Sequence, residues 1–550
     1  MTKPLFTVVP PRSTKIQATT PFILHRDGWD DFGFKTQYQI EYVGGRESIL
    51  IGSVKILKKG QGTTSRGLLE DGLLHALDSS FCSVGQSLDY YQRLSELPDD
   101  LRTNLLSALR DVIAHPDIIE SFESEEAWRV SLWRDMDEQE FRQLAPVLLH
   151  QNYSTLPDID VHLNFEVAGW LAPLSLNFEA PEEDYYSRRT RSGPLNRLQL
   201  PRRVAVLTGR NGSGKSTLLA RLARILHASQ PNRARKALLQ LGRLDPVGVG
   251  FTRIVTISYS AFDAFQVPGL TRGERRQIAK DIDNGSGRFI FCGLRDIARE
   301  LKEELDAEPN ADETLPFDTL RDRQRKTYLK PLEQLAREFA RTITRVMDRG
   351  RLELLEGTAA LLLRDPSFGN VEDQSLLDLV GDDPEEAFLR WSTGHKIVLH
   401  SLACLAAYLE PKSILLFDEP ETHLHPPLLA ALMHGIRHML EELDAFGVIA
   451  THSPVVAQET LARHVHIVRR SGMETTIASP LIETFGESIG EITDEVFGLN
   501  SDATDYHNIL ERLVRRHKTL EAVEALFDEG LSLQARAYVM SLIARQDMKQ

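Results

Sequence analysis

The residues most able to do chemistry run from Gly209 to Ser216: Gly209, Arg210, Asn211, Gly212, Ser213, Gly214, Lys215 and Ser216. Glycine recurs where a chain must curl without Cβ clashes, and a lysine and a hydroxyl follow. The apolar stretch RRVAVLTG precedes the turn and KSTLLARLARILHAS continues it. The turn therefore opens a helix, whose N-terminus adds positive dipole. Such a loop cradles phosphate groups with Gly209, Asn211, Gly212 and Gly214. Lys215 reaches the β- and γ-phosphates of a nucleotide, and Ser216, followed by Thr217, supplies a hydroxyl to Mg²⁺.

Two further positions suit the same chemistry. ILLFDEP, residues 414–420, ends a buried strand in Asp418-Glu419. Asp418 is suited to hold Mg²⁺ through water, and Glu419 to polarise an attacking water as general base. Thr451-His452-Ser453-Pro454 follows the strand GVIA, so His452 stands at a strand tip from which it could hydrogen-bond a γ-phosphate. The alternative for His452 is a cap or a packing contact. In Thr422-His423-Leu424-His425-Pro426 the His-x-His spacing admits a metal, but no third ligand accompanies it.

These residues need a sheet to hold them. FGFKTQYQIEYV and SILIGSVKIL alternate as strands around Gly44-Gly45, and residues 66–150 read as helical, broken at Pro98 and Pro116. DVHLNFEVAG, PLSLNFE, FTRIVTISYSAF, GRFIFCGL, KSILLFDEP and FGVIATHSP read as further strands. Residues 296–388 read as helical and charged, and the chain after 471 as mostly helical. Strands alternating with helices around a glycine turn predict an α/β core with a parallel sheet. The expected units are 1–65, an N-terminal β-lobe; 66–150, a helical insertion; 151–295, the core with the phosphate loop; 296–388, a second helical insertion; 389–470, the rest of the core; and 471–550, a helical region able to dock a partner.

Bulk properties narrow the class. The chain has 550 residues and a formal net charge of -15. That balance argues against coating nucleic acid over the whole surface, although arginines crowd residues 188–203 and 512–518. Such runs are often solvated faces. Cys82, Cys292 and Cys404 are too far apart for a metal-ligand motif and too few for a disulfide framework, and they read as buried thiols. No membrane span and no apolar signal core are visible, so the expected location is the cytoplasm.

A further segment, Trp391-Ser392-Thr393-Gly394-His395-Lys396, precedes the helix IVLHSLACLAAYL. The order of phosphate loop, Ser-x-Gly before a helix, Asp-Glu after a strand, THLHP and THSP resembles the ABC-type ATPases of the SMC-like, RecF-like and OLD-like branch. The resemblance implies an ABC-type ATPase head: a mixed parallel core sheet, an antiparallel N-terminal β-lobe, helical insertions and a helical C-terminal tail. It implies ATP and Mg²⁺ as ligands and ATP hydrolysis as the activity. Ser392 and Gly394 of one copy would cap the γ-phosphate held by another, Gln266 would be the Q-loop residue, and His425 would lie in the D-loop. Trp391 and His395 depart from the usual Leu and Gln or Glu. Ser392 could equally be a helix N-cap.

WDDFGFKTQYQIEYV, DYYQRLSEL, FIFCGLRD and EALFDEGLSLQARAYV together look like the PtuA-type ATPases of Septu and retron-associated anti-phage defence. That likeness implies a homo-oligomer working with a separate HNH nuclease, PtuB, and in the retron setting with a reverse transcriptase and its nucleic acid product. After Pro454 no Asp-x-Asp and no HNH-type Cys/His cluster occurs, so no nuclease activity is expected in this chain. A RecF- or SMC-like repair head, which would bind duplex DNA, is the competing reading. A transport subunit would need a membrane partner, and the 66–150 segment and THLHP run against it.

Overall fold

A computed structural model describes residues 4–10, 20–27, 31–45, 48–63, 69–134, 136–156, 161–179, 200–307, 326–362, 380–472, 474–497 and 505–547. Arg188, Arg189, Arg191 and Arg197 lie outside them.

The chain begins with six strands: β1 (Phe6–Val9), β2 (Phe22–Arg26), β3 (Gln37–Tyr42), β4 (Ile49–Lys58), β5 (Gly72–Leu74) and β6 (Phe81–Gly85). They form one sheet in the order β5-β1-β2-β3-β4-β6. All neighbours are antiparallel except β1 and β2, which run parallel. The helical reading of residues 66–150 is corrected at β5 and β6. FCSVG is a short, wholly buried run whose periodicity does not separate strand from helix, and pairing to β4 decides it. The helices Leu88–Ser95, Asp99–Leu109 and Glu138–His150 then cover this sheet, and one apolar core joins residues from Phe6 to Leu149.

β7 (His162–Glu166) and β8 (Leu174–Asn177) pair with a later strand, β10 (Arg243–Asp245), in a small sheet. The central sheet contains β9 (Val204–Thr208), β11 (Ile254–Ser258), β12 (Phe289–Gly293), β13 (Ile414–Asp418), β14 (Phe446–Ala450), β15 (Val465–Ser471) and β16 (Glu474–Ala478). Its order is β12-β11-β13-β14-β9-β15-β16, parallel throughout except for β15 with β16. β16 lies where the sequence reads as helix. Its burial pattern is one exposed and four half-buried residues, so it carries little apolar alternation to read.

The apolar runs are explained by two-sided burial. Val204, Val206, Val255, Ile257, Leu415 and Phe417 face one core, with the helices Leu332–Asp348, Thr393–Tyr408 and Pro426–Glu442. Ala205, Leu207, Ile254, Leu416 and Val448 face the other, with the helices Lys215–His227 and Arg272–Asn284. The fold is thus a mixed α/β assembly of a parallel central sheet, a mainly antiparallel N-terminal sheet and many helices.

Buried ion pairs join the N-terminal unit to the central one. Asp89 meets His227 at 3.2 Å and Arg288 at 2.8 Å, and Arg93 meets Asp281 at 3.1 Å. Burial opposes ionisation of Asp89, but His227 and Arg288 outweigh it and hold its carboxyl well below the usual range.

Three buried histidines predict acid sensitivity. Burial pushes His400 down to about 3, and His464 and His466 to about 4. The unfolded chain takes up these protons first, near pH 6.5. Stability is therefore full above that pH and falls as pH drops towards 4, by up to about 1.4 kcal/mol per unit per histidine. Thermal unfolding between pH 7.5 and 5 should show this fall. His400→Leu, which removes the ring set edge-on to Phe339 and Phe388, should flatten it. A melting temperature indifferent to pH would refute the assignment.

Candidate nucleotide site

Sheet register builds the site. Asp418 at the end of β13 lies opposite Ala450 at the end of β14, and Ala450 lies opposite Leu207 of β9. Backbone bonds continue past the strand ends: Glu419 N–H to Ala450 O at 2.8 Å, and Thr451 N–H to Leu207 O at 2.9 Å. The glycine loop, the Asp-Glu pair and His452 are thereby gathered at one edge, the C-terminal edge where open α/β sheets bind ligands.

The loop geometry demands its glycines. Gly209 has φ +141°, and a Cβ there would sit 2.2 Å from the Val468 carbonyl oxygen. Gly212 and Gly214 adopt φ +79° and +98°. Lys215 is only 4% exposed and folds back onto the loop, its Nζ donating to Gly209 O at 3.0 Å and Arg210 O at 3.3 Å. Burial lowers its pKa to about 8 against the pull of Glu419, Asp418 and Glu421.

His452 stands between two charged groups. Its Nδ1 is 3.3 Å from Lys215 Nζ, and its Nε2 is 3.5 Å from Glu419 Oε1. Donation from the ammonium to Nδ1 sets the tautomer that presents Nε2–H to Glu419. This contact with His452 holds the Glu419 carboxyl below its ordinary range. Glu419 itself adopts φ +50°, which turns the chain sharply out of β13.

Asp418 is the buried member, 1% exposed, and its Oδ1 has no hydrogen-bond partner. Burial, followed by the Glu419 charge, raises its pKa to about 8, while a bond from the Ser216 side chain opposes the rise. An orphaned carboxylate oxygen beside a hydroxyl at a phosphate loop is the donor set that Mg²⁺ takes. Asp418 and Ser216 fit that ion.

Glu421 was not singled out in the sequence, yet it ties the motifs together. It accepts from Thr451 Oγ1 at 2.9 Å and from the His452 backbone N–H. Its signal was position alone, two residues past Glu419 in a turn rich in polar residues. A second overlooked group is Arg295, which bonds Asp263 at 2.6 Å, Glu300, and the carbonyls of Asp263 and Phe265. It thereby pins the segment after β11 that carries the buried Gln266.

Ser392 and Gly394 stand elsewhere. Ser392 Oγ accepts from His395 N–H at 3.3 Å and caps the helix Thr393–Tyr408. The Cβ position of Gly394 faces the turn at His423 and Leu424. Among the described residues neither is bonded to the phosphate loop of its own chain. His425 caps the helix Pro426–Glu442, its Nδ1 accepting from Leu428 N–H at 3.4 Å. Among the described residues no group of three His, Cys, Asp or Glu side chains is placed to hold a metal.

Comparison with known proteins adds four findings. Residues 204–457 match the family model described as "AAA domain, putative AbiEii toxin, Type IV TA system". Protein ea59 of Escherichia phage lambda is 30% identical over 539 residues, covering 95% of each chain. Among solved structures, a nucleotide-free ATP-binding cassette from an ABC transporter is similar at 13% identity and a TM-score of 0.26, covering 60% of this chain and 94% of that one. An SMC head bound to the C-terminal winged-helix domain of ScpA is similar at 12% identity and a TM-score of 0.27, covering 58% and 97%.

Proposed function

This chain belongs to the family of protein ea59 of Escherichia phage lambda, with residues 204–457 matching an AAA-domain model, and from that premise we propose that it binds and hydrolyses Mg·ATP at the phosphate loop as an ABC-like ATPase. The observation that carries the reading is the chain of contacts Lys215–His452–Glu419 beside the orphaned Asp418 oxygen. Gly209, Asn211, Gly212, Gly214 and Thr217 cradle the triphosphate, with Lys215 on its β- and γ-phosphates. Asp418 and Ser216 would hold Mg²⁺, which would supply charge neutralisation on the phosphate oxygens. Glu419 accepts a proton from water, and His452 orients Glu419 and answers to the γ-phosphate.

Lys215 Nζ donates to its own loop carbonyls, and contact with a triphosphate would exchange those bonds for phosphate oxygens. We propose that Ser392 and Gly394 of a second copy close the site, which accounts for an exposed Ser392 and a half-buried Gly394 away from their own phosphate loop. A head-to-head dimer follows, with Gln266 at the edge of each site. The resemblance to PtuA-type ATPases supports a finer reading: an anti-phage defence ATPase that gates a separate HNH nuclease, with residues 471–550 as the docking region. Co-purification with the product of a neighbouring gene, followed by a nuclease assay with and without ATP, tests it. A chain that ignores that product but shifts on duplex DNA would favour the repair reading.

The depressed lysine predicts a pH signature. ATP requires the ammonium form, so affinity measured in EDTA should be flat below pH 8 and fall about tenfold per unit above it. Lys215→Arg, which stays charged, should reduce the slope to the part that Asp418, ionising in the same range, contributes. An unchanged slope in that variant would remove Lys215 from phosphate contact.

A further inference from the structure

A second cationic site lies at the opposite end of the central sheet. Arg253 immediately precedes β11, and its carbonyl accepts from Ile414 N–H at the start of β13. Its side chain is 1% exposed, yet Nε and Nη1 have no hydrogen-bond partner. An orphaned buried guanidinium is costly and calls for an acceptor. Three more arginines lie within electrostatic reach of it, and each has a visible structural task. Arg345 donates to Gly285 O at 2.8 Å and lies over the Tyr408 ring. Arg351 donates to Leu409 O at 2.6 Å and meets Glu410 at 2.7 Å. Arg349 also contacts Glu410.

The charge does not balance. Glu410 is the one carboxylate with which these four guanidiniums form ion pairs among the described residues. Burial, followed by the charges of Arg253, Arg345 and Arg351, pulls Arg349 down to about 9. Carbonyl and carboxylate contacts account for Arg351, but Arg345 Nε, like Arg253 Nε and Nη1, is buried without an acceptor. Arg349 and Arg351 are partly exposed, so the cluster reaches solvent. Planar guanidiniums presenting parallel N–H pairs match a tetrahedral oxyanion.

We propose that Arg253, Arg345 and Arg349 bind a phosphate-class anion at a site separate from the phosphate loop. The probe is inorganic pyrophosphate, measured by calorimetry on the full chain carrying Lys215→Ala, so that the first site is silent. Binding is expected there. Adding Arg349→Ser, at a partly exposed turn, should weaken it at least tenfold with unchanged melting temperature. Arg253→Lys should weaken it as well, while keeping the charge. Absence of pyrophosphate binding to the Lys215→Ala chain, or binding that both arginine variants leave intact, overturns the proposal. A short DNA duplex that displaces pyrophosphate would assign the anion to a nucleic acid backbone, and one that does not would assign it to a free phosphate compound.

Discussion

Replacing Glu419 with Gln leaves ATP bound and stops its hydrolysis. The amide keeps the size of the carboxylate but cannot take a proton from water, and it loses the charge that His452 faces at 3.5 Å. Removal of a positioned general base lowers rates by about 10²- to 10⁴-fold. Phosphate release should fall by that factor, while the ATP Kd changes little. Since bound ATP then persists, the two-copy state should accumulate. A Glu419→Gln chain with near-normal turnover would mean that another group activates water. Glu421 is one alternative carboxylate, but both of its oxygens are occupied by Thr451 and His452.

Lys215→Ala should weaken ATP binding rather than merely slow turnover. A charge-assisted hydrogen bond contributes about 1.5–3 kcal/mol, so the loss is on the order of a hundredfold in Kd. The fold should not suffer. Lys215 is a buried ammonium whose pKa burial has lowered to about 8, so its removal relieves a desolvation cost. Titration with a fluorescent ATP analogue and a parallel melting curve check both halves. Retained affinity, or a collapsed melting temperature, would each contradict the role given to Lys215.

The parallel core was legible because each of its inner strands is a short run buried on both faces, as in VAVLT and ILLFD. The glycine turn, Asp418, Glu419 and His452 could be found because phosphate chemistry restricts residue type at fixed offsets. What stayed hidden is what tertiary contact decides. β5 and β6 lie in a stretch whose pattern reads as helix, because FCSVG has no alternation and gains its strand partner from β4, earlier in the chain. β1 and β2 passed unnoticed, and their parallel pairing has no local signal at all. Glu421 and Arg295 act by bridging segments 31 and 30 residues distant in sequence, a relation that no single motif contains. The Asp89–His227–Arg288 ties likewise depend on the packing of two units.

The central claim is that two copies share each ATP, Lys215 from one and Ser392 from the other. Ser392→Asp keeps a good helix cap but places a negative charge where the γ-phosphate would be. Each variant alone, Lys215→Ala or Ser392→Asp, should release phosphate poorly. An equimolar mixture contains pairs with one intact composite site. Phosphate release by the mixture, clearly above the sum of the separate variants, is the predicted result; release no greater than that sum would contradict the shared site.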